Sequence, residues 1–181
     1  MDRCGFVIVG VGNIAQAHVE AIGQLEHAYV VGVTSATAAK AQSFAERYGV
    51  RAYADLAEAL ADDEVRAVSV CTPSGAHRES ALAAAEAGRH VVVEKPLEVT
   101  SERAKAIIEA TDRAGVKLAT VFMGRFSDAN RRLKQAVEEG RLGRLLQAQG
   151  DPNARAHFRR CIEIQSRTDM AERCRQFLSV N

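Results

Sequence analysis

Residues 5–15 read Gly5-Phe6-Val7-Ile8-Val9-Gly10-Val11-Gly12-Asn13-Ile14-Ala15, and they give the strongest indication of the fold. The apolar run at residues 6–9 predicts a short strand that is buried on both faces. A turn with two glycines follows, and residues 13–25 have the apolar spacing of a helix. The stretch therefore predicts a strand, a tight turn and a helix in direct succession.

The small residues of this turn are spaced as Gly10-x-Gly12-x-x-Ala15. Gly10 permits the tight turn, Gly12 allows the backbone to approach a pyrophosphate, and Ala15 lets the helix pack closely on the sheet. The N–H groups and the positive dipole end at the start of the helix would face the phosphates. The pattern predicts a dinucleotide site, and the alternative is a structural turn that binds nothing.

Strands alternate with helices along the following hundred or so residues. Further strands are predicted at residues 28–33, 51–54, 67–71, 90–93 and 117–122. Helices are predicted between them at residues 37–48, 56–60, 74–87 and 100–114, with Asp55, Ser74 and Thr100 as N-caps. The alternation predicts an α/β fold, a Rossmann-type doubly wound parallel sheet with helices on both faces.

Small and polar residues follow the predicted strands at the point where each strand ends. In an open parallel sheet the ligand lies beyond the carboxyl ends of the strands. This rule places four segments along one edge of the sheet, namely residues 10–15, 34–35, 72–77 and 94–96. We expect a ligand site at that edge.

The end of the second strand bears on which dinucleotide would bind. Many NAD sites carry an acidic residue there that grips the ribose 2′-hydroxyl. Here the chain continues as Thr34, Ser35, Ala36 and Thr37, and small hydroxyls together with Lys40 could accommodate a 2′-phosphate. The pattern favours NADP over NAD, and the alternative is a site that accepts either cofactor.

Lys95 directly follows a predicted buried strand, within Glu94-Lys95-Pro96. We expect a lysine at that place to be partly shielded from water, and an oxidised nicotinamide nearby would further disfavour its charge, both of which would favour proton transfer by its side chain. The peptide bond before Pro96 could be cis or trans. The alternative is a solvated surface lysine paired with Glu94.

Composition bounds the class of protein. The chain has 181 residues, of which 47% are hydrophobic, so a sizeable core is expected. A formal net charge of +1 gives no reason to expect nucleic acid or a membrane surface as partner. The four cysteines and five histidines are scattered, which argues against a metal site and a disulfide framework. No signal peptide or membrane span is evident, so we expect a soluble, cytoplasmic protein.

In combination, these motifs resemble the glucose–fructose oxidoreductase, inositol dehydrogenase and rhizopine-catabolism family (Gfo/Idh/MocA). The resemblance covers about residues 5–148. It is carried by the glycine turn, by Cys71-Thr72-Pro73-Ser74-x-x-His77, by Glu94-Lys95-Pro96, by Arg125-Phe126, and by the segment from Asn130 to Gly143. The ordered combination is specific, although no single piece of it is.

The resemblance implies a two-domain enzyme that uses NAD or NADP and acts on sugars, cyclitols or related small molecules. Within it, Gly10, Gly12, Asn13 and Ile14 would hold the pyrophosphate, and Lys95 would be the catalytic proton carrier. Other positions would lie near the ribose, along the cofactor channel and around the nicotinamide. The further candidate cofactor-binding residues are Thr34, Ser35, Cys71, Thr72, Pro73, His77, Glu94, Lys95 itself and Pro96.

The chain departs from the family pattern in its last third. We expect an NAD(P)-binding domain at residues 1–123 and a truncated start of a second α+β domain at residues 124–150. That start would comprise a connecting helix, capped by Ser127 and ending at Gly140, and a first strand at residues 142–148. Residues 151–181 lose the family pattern, and we expect an atypical, loosely ordered tail.

Three functions remain open from the sequence. The first is an oxidoreductase that passes hydride between a nicotinamide cofactor and a sugar- or cyclitol-like small molecule. The second is an NAD(P)-binding module without turnover, because most of the substrate domain is missing. The third is an interaction subunit, since a lone strand after the connecting helix would leave an edge open for pairing, for instance in a homo-oligomer.

Overall fold

The computed structural model describes residues 3–139, 141–150 and 156. The chain divides into two compact units, the first ending at Phe122 and the second beginning at Met123. The first unit carries all of the predicted strands that precede residue 123, and the second carries the predicted connecting helix.

One parallel sheet organises the first unit. Its strands are β1 (Cys4–Val9), β2 (Ala28–Thr34), β3 (Arg51–Ala52), β4 (Val65–Val70), β5 (His90–Glu94) and β6 (Leu118–Val121). They lie in the order β3-β2-β1-β4-β5-β6, and every neighbouring pair is parallel. The connections change direction between β1 and β4, which is the switch point where such sheets open a crevice. The predicted Rossmann-type fold is confirmed.

Helices connect the strands. They are α1 (Asn13–Gly23), α2 (Ala38–Tyr48), α3 (Leu56–Ala61), α4 (His77–Glu86) and α5 (Ser101–Ala114). None of the helices in the described part of the chain has the length and apolar character needed to cross a membrane.

Two of the three predicted helix caps in this unit are confirmed. The Asp55 carboxylate accepts a hydrogen bond from the Glu58 backbone N–H at 2.8 Å, and the Thr100 hydroxyl accepts one from Arg103 at 3.3 Å. The predicted cap at Ser74 is wrong, because α4 begins three residues later. Gly75 has a φ of +91°, a left-handed conformation that keeps the preceding residues in a turn.

The sheet buries a hydrophobic core on each face. Alternate residues of β1 point to opposite sides, so Val7 and Val9 join one core and Ile8 joins the other. The first core packs against α3, α4 and α5, and the second against α1 and α2. Complete burial of each such side chain contributes about 1.5–3 kcal/mol, so both faces hold the central strands in place.

The second unit is helical in its described part. A short 3₁₀ helix at Met123–Phe126 precedes α6 (Asp128–Glu138) and α7 (Arg141–Ala148). The predicted cap of α6 is confirmed, since the Ser127 hydroxyl accepts a hydrogen bond from the Asn130 N–H at 3.2 Å.

The strand predicted at residues 142–148 is wrong, because these residues belong to α7. A strand needs a neighbour for its backbone groups, and residues 123–139 and 141–150 contain none, whereas a helix pairs its own. The spacing of Leu142, Leu145 and Leu146 also suits a helix. The predicted tail at residues 151–181 lies outside the described residues, apart from Ala156.

Candidate functional site

The carboxyl ends of the central strands meet at one edge of the sheet, as predicted. The Gly10 N–H donates a hydrogen bond to the Thr34 carbonyl at 2.8 Å, which joins the end of β1 to the end of β2. The Cys71 N–H donates to the Val9 carbonyl at 2.8 Å and joins the end of β4 to β1. We call residues 10–15 the glycine loop.

His77 joins the remaining two segments. Its Nε2 lies 2.9 Å from the Thr72 carbonyl, and its Nδ1 lies 2.9 Å from the Pro96 carbonyl. The ring is only 1% exposed. It therefore ties the loop after β4 to residues 94–100, which we call the lysine loop, and it does so from the interior. The predicted place of His77 along a cofactor channel stays a prediction, and in the structure its side chain is buried between these two segments.

The two glycines of the glycine loop differ in what surrounds them. Gly10 has a φ of +90°, and a Cβ placed on it would lie 2.9 Å from the Cys71 carbonyl oxygen. A Cβ on Gly12 would meet nothing within 4 Å, and Gly12 itself is exposed. Gly10 is thus required by the fold, whereas Gly12 leaves open space over the backbone.

The start of α1 has the chemistry of an anion site. Gly12 occupies the N-cap position, and no side chain in the described part of the chain caps the helix. The first hydrogen bond of the helix runs from the Ala15 N–H to the Gly12 carbonyl at 3.1 Å, so the N–H groups of Asn13 and Ile14 lie ahead of it. Asn13 is exposed, and Ile14 packs partly against the core. The open space at Gly12 and these donors fit a dinucleotide pyrophosphate.

The segment after β2 is small and carries no acidic side chain at residues 34–37. Thr34 is buried, while Ser35 is half-buried and its hydroxyl accepts a hydrogen bond from the Thr37 N–H at 3.3 Å. Lys40 is exposed in the first turn of α2. The segment offers hydroxyl groups and a cation, with nothing that repels a phosphate.

The segment after β4 combines one buried and two more accessible residues. Cys71 is 5% exposed, and burial raises the pKa of its thiol to about 12, so it is a neutral packing group. Thr72 is half-buried and donates through its hydroxyl to the Ala76 carbonyl at 3.1 Å, and Pro73 is exposed. The Cys71 side chain packs in the core between the sheet and helices α1 and α2, and its predicted contact with the cofactor stays a prediction.

Lys95 lies at the start of the lysine loop. It is exposed, as is Pro96, and the peptide bond between them is cis. The expected partial shielding of Lys95 is therefore wrong, because the chain leaves the sheet at Glu94 and Lys95 is the first residue beyond it. Glu94 is only 6% exposed, and its Oε2 accepts a hydrogen bond from the Lys95 backbone N–H at 3.0 Å.

An ion pair between the buried Glu98 and the half-buried Arg103 holds the other end of the lysine loop. The Glu98 carboxylate accepts hydrogen bonds from the Arg103 guanidinium at 3.0 Å, from the Val99 N–H at 2.7 Å and from the Arg78 N–H at 3.1 Å. Arg103 also donates to the Gly75 carbonyl at 2.9 Å. The Arg103 hydrogen bond is the main reason that the pKa of Glu98 falls to about 2. The ion pair fastens the lysine loop to the turn before α4.

Four residues whose side chains support the lysine loop directly or through a partner are not predicted by the sequence motifs, namely His18, Ser69, Glu98 and Arg103. One signal was available for His18. It falls among Ala15, Val19 and Ile22 on the buried face of α1, where a polar side chain needs a partner. That partner, Glu94, is 76 residues away in the sequence, so it can be identified only from the fold.

Known proteins share this fold and these sequence features. The family model described as "Oxidoreductase family, NAD-binding Rossmann fold" (GFO_IDH_MocA) matches residues 4–122. The myo-inositol 2-dehydrogenase of Thermotoga maritima is 34% identical over 138 residues, which make up 76% of this chain and 41% of that protein.

Solved structures resemble the chain in the same way. The WlbA dehydrogenase of Bordetella pertussis, in complex with NADH and UDP-GlcNAcA, has a TM-score of 0.74 at 35% identity, over 77% of this chain and 43% of its own. A variant of KijD10, a 3-ketoreductase of Actinomadura kijaniata in complex with TDP-benzene and NADP, has a TM-score of 0.71 at 26% identity, over 77% and 45%. The chain thus spans less than half the length of these proteins. It belongs to the Gfo/Idh/MocA family of oxidoreductases, which have an NAD-binding Rossmann fold.

Proposed function

We propose that this chain binds NAD(P) along the carboxyl edge of its sheet. The glycine loop would hold the pyrophosphate through the N–H groups of Asn13 and Ile14, over the open space at Gly12. The segments after β2 and β4 would flank the cofactor, with Ser35 at its ribose end and Thr72 and Pro73 along it. The proposal also assigns residues 1–123 as the cofactor domain and residues 124–150 as the start of a substrate domain.

We further propose a preference for NADP. The ribose end of the edge presents the hydroxyl of Ser35 and the exposed cation of Lys40, and it lacks a carboxylate at residues 34–37. A carboxylate there would repel a 2′-phosphate, whereas a lysine in the first turn of α2 attracts it.

The reaction that we propose is the oxidation or reduction of a hydroxylated small molecule of the sugar or cyclitol class. The nicotinamide supplies the hydride acceptor or donor when it is bound. Lys95 would take the proton of the substrate hydroxyl at its Nζ during oxidation and return it during reduction. The exposure of Lys95 leaves its Nζ accessible to a substrate, and Glu94 holds its backbone.

One observation carries this proposal: the glycine loop, the uncapped start of α1 and Lys95 all lie at the carboxyl edge of one sheet. The test is a titration with NADPH and NADH followed by turnover assays with inositols, sugars and nucleotide sugars. Lys95→Met should keep cofactor affinity within about threefold and lose at least about a hundredfold in kcat. Lys117→Met is the matched control, because Lys117 is an exposed lysine just before the start of β6, at the opposite edge. Full turnover in Lys95→Met would refute the role of Lys95.

A second candidate function is cofactor binding without turnover, because the family match at residues 4–122 is to an NAD-binding Rossmann fold. The chain covers 41% of the inositol dehydrogenase that it resembles. Saturable NADPH binding without turnover of any substrate in the panel would support this second function. Failure to bind either cofactor would refute both.

A further inference from the structure

A chain of polar side chains crosses the interior between α1, β4 and β5. His18 Nδ1 lies 2.7 Å from the Ser69 hydroxyl, and His18 Nε2 lies 3.0 Å from Glu94 Oε1. Ser69 is 1% exposed and Glu94 is 6% exposed. The second oxygen of Glu94 accepts the hydrogen bond from the Lys95 backbone N–H. Buried polar groups cost free energy of folding unless each of them has a hydrogen-bond partner, so the pairing of these side chains matters for stability.

The order Ser69, His18, Glu94 has the connectivity of a hydrolytic triad, yet it cannot act as one. Ser69 lies within β4, where it is paired with Ile8 on one side and Val92 on the other. Its hydroxyl is buried between β4 and α1 and cannot reach a substrate. Lys95 is the exposed residue in contact with this row of polar groups, since its backbone N–H donates to Glu94, so any role of the row in function would act through Lys95.

The hydrogen bonds run in one consistent direction. The Lys95 N–H can only donate, so Glu94 Oε2 accepts, and Glu94 Oε1 accepts from an N–H on His18 Nε2. If that N–H is the only one on the ring, His18 Nδ1 accepts a hydrogen bond from the Ser69 hydroxyl. The Ser69 oxygen in turn lies 3.8 Å from the Cys71 thiol, which can donate to it. Every donor faces an acceptor when neutral His18 carries its proton on Nε2.

We propose that His18 is a positioning residue for Lys95, acting through the Glu94 carboxylate. The proposal rests on the proposed function, in which Lys95 carries the proton. Lys95 is exposed, so its place depends on where its backbone is held as the chain leaves β5. Glu94 holds that backbone, and His18 fixes the Glu94 carboxylate in a single orientation. Because His18 lies on α1, the same helix that opens at the glycine loop also anchors the lysine loop.

The first test removes the contact. His18→Leu should speed hydrogen exchange of the Lys95 amide by about tenfold or more, since the Glu94 carboxylate loses a charge-assisted partner. NADPH affinity should stay within about threefold, because the glycine loop is untouched. If turnover is present, kcat should fall while KM stays the same, and His18→Gln should restore part of both effects. His27→Leu, an exposed histidine in the loop before β2, is the matched control.

The second test works even if His18→Leu does not fold. In Glu94→Gln the side chain has one acceptor oxygen, which the Lys95 N–H should take, and its NH₂ group then faces His18. His18 must accept at Nε2 and move its proton to Nδ1, a change that ¹⁵N NMR of the imidazole reports directly. An unchanged His18 tautomer in Glu94→Gln, or unchanged Lys95 amide exchange in folded His18→Leu, would overturn the proposal. Both readouts are independent of turnover, so they remain valid if Lys95 proves not to be catalytic.

Discussion

The glycine loop and the lysine loop lie at the same edge of the sheet but are built in opposite ways. The glycine loop presents bare backbone, with an open space at Gly12 and uncapped N–H groups at the start of α1. The lysine loop is fixed by buried polar side chains, through Glu94 at its beginning and Glu98 at its end. The glycine loop depends on the absence of a side chain at Gly10 and Gly12. The lysine loop depends on the side chains of Glu94 and Glu98.

The two loops therefore tolerate different changes. Any side chain added to the glycine loop takes up space that the backbone or a ligand needs. A change at the lysine loop instead leaves a buried charge or donor without its partner, which costs free energy inside the protein.

Gly10→Ala should lower the free energy of unfolding by about 3 kcal/mol, measured by urea denaturation. The added Cβ would lie 2.9 Å from the Cys71 carbonyl, and the φ of +90° is strained for alanine. Gly49→Ala is the matched control, because Gly49 has a φ of +65° but nothing within 4 Å of its Cβ position. It should cost only about 1 kcal/mol. Equal losses in the two variants would show that the contact with Cys71 is unimportant.

Glu98→Gln should lower the free energy of unfolding by about 2 kcal/mol at pH 7, since it removes the charge-assisted bond from Arg103. The pKa of Glu98 is about 2 in the folded chain, below its ordinary value of 4.5. The stabilising contribution of the Glu98 carboxylate is therefore fully present above pH 4.5 and is lost as the pH falls towards 2. Between pH 4.5 and pH 2, the free energy of unfolding should therefore change less with pH in the variant than in the wild type.

The matched control for that prediction is Glu26→Gln, which changes an exposed glutamate in the loop between α1 and β2. Its stability should differ from the wild type by less than about 0.5 kcal/mol at every pH. An acid-induced loss of stability in Glu98→Gln as steep as that of the wild type would contradict the role given to the Glu98–Arg103 ion pair.

Lys40→Met should weaken NADPH binding by about threefold and leave NADH binding unchanged, because an exposed charge pair contributes little in water. Fluorescence titration of both cofactors measures the effect, and Lys40→Arg should retain the wild-type affinities. Equal weakening of NADPH and NADH would count against a contact between Lys40 and the 2′-phosphate, and with it against the preference for NADP.

The contrast between the loops also explains what could be predicted from the sequence. The fold, the glycine turn and the caps at Asp55, Thr100 and Ser127 depend on residues a few positions apart, and all of these predictions are confirmed. The glycine turn is especially easy to identify, because the small residues that it requires occur at a short, fixed spacing in the sequence.

The support of the lysine loop could not be predicted in the same way. His18 contacts a residue 76 positions away, and Arg103 contacts a residue 28 positions away as well as its near neighbour Glu98. Such pairs follow from strand order, which the sequence does not state directly. The error at residues 142–148 has a related origin, since a short apolar segment forms a strand only where a neighbouring strand can pair with it.

The most direct test of the account compares NADPH binding by the wild type and by Gly12→Ala, with stability measured in parallel. A methyl group at Gly12 meets no protein atom within 4 Å, so the free energy of unfolding should change by about 1 kcal/mol or less. The same methyl group should enter the space proposed for the pyrophosphate and weaken NADPH binding by about tenfold or more. Equal affinity of the two proteins for NADPH would contradict the assignment of the glycine loop as the cofactor site.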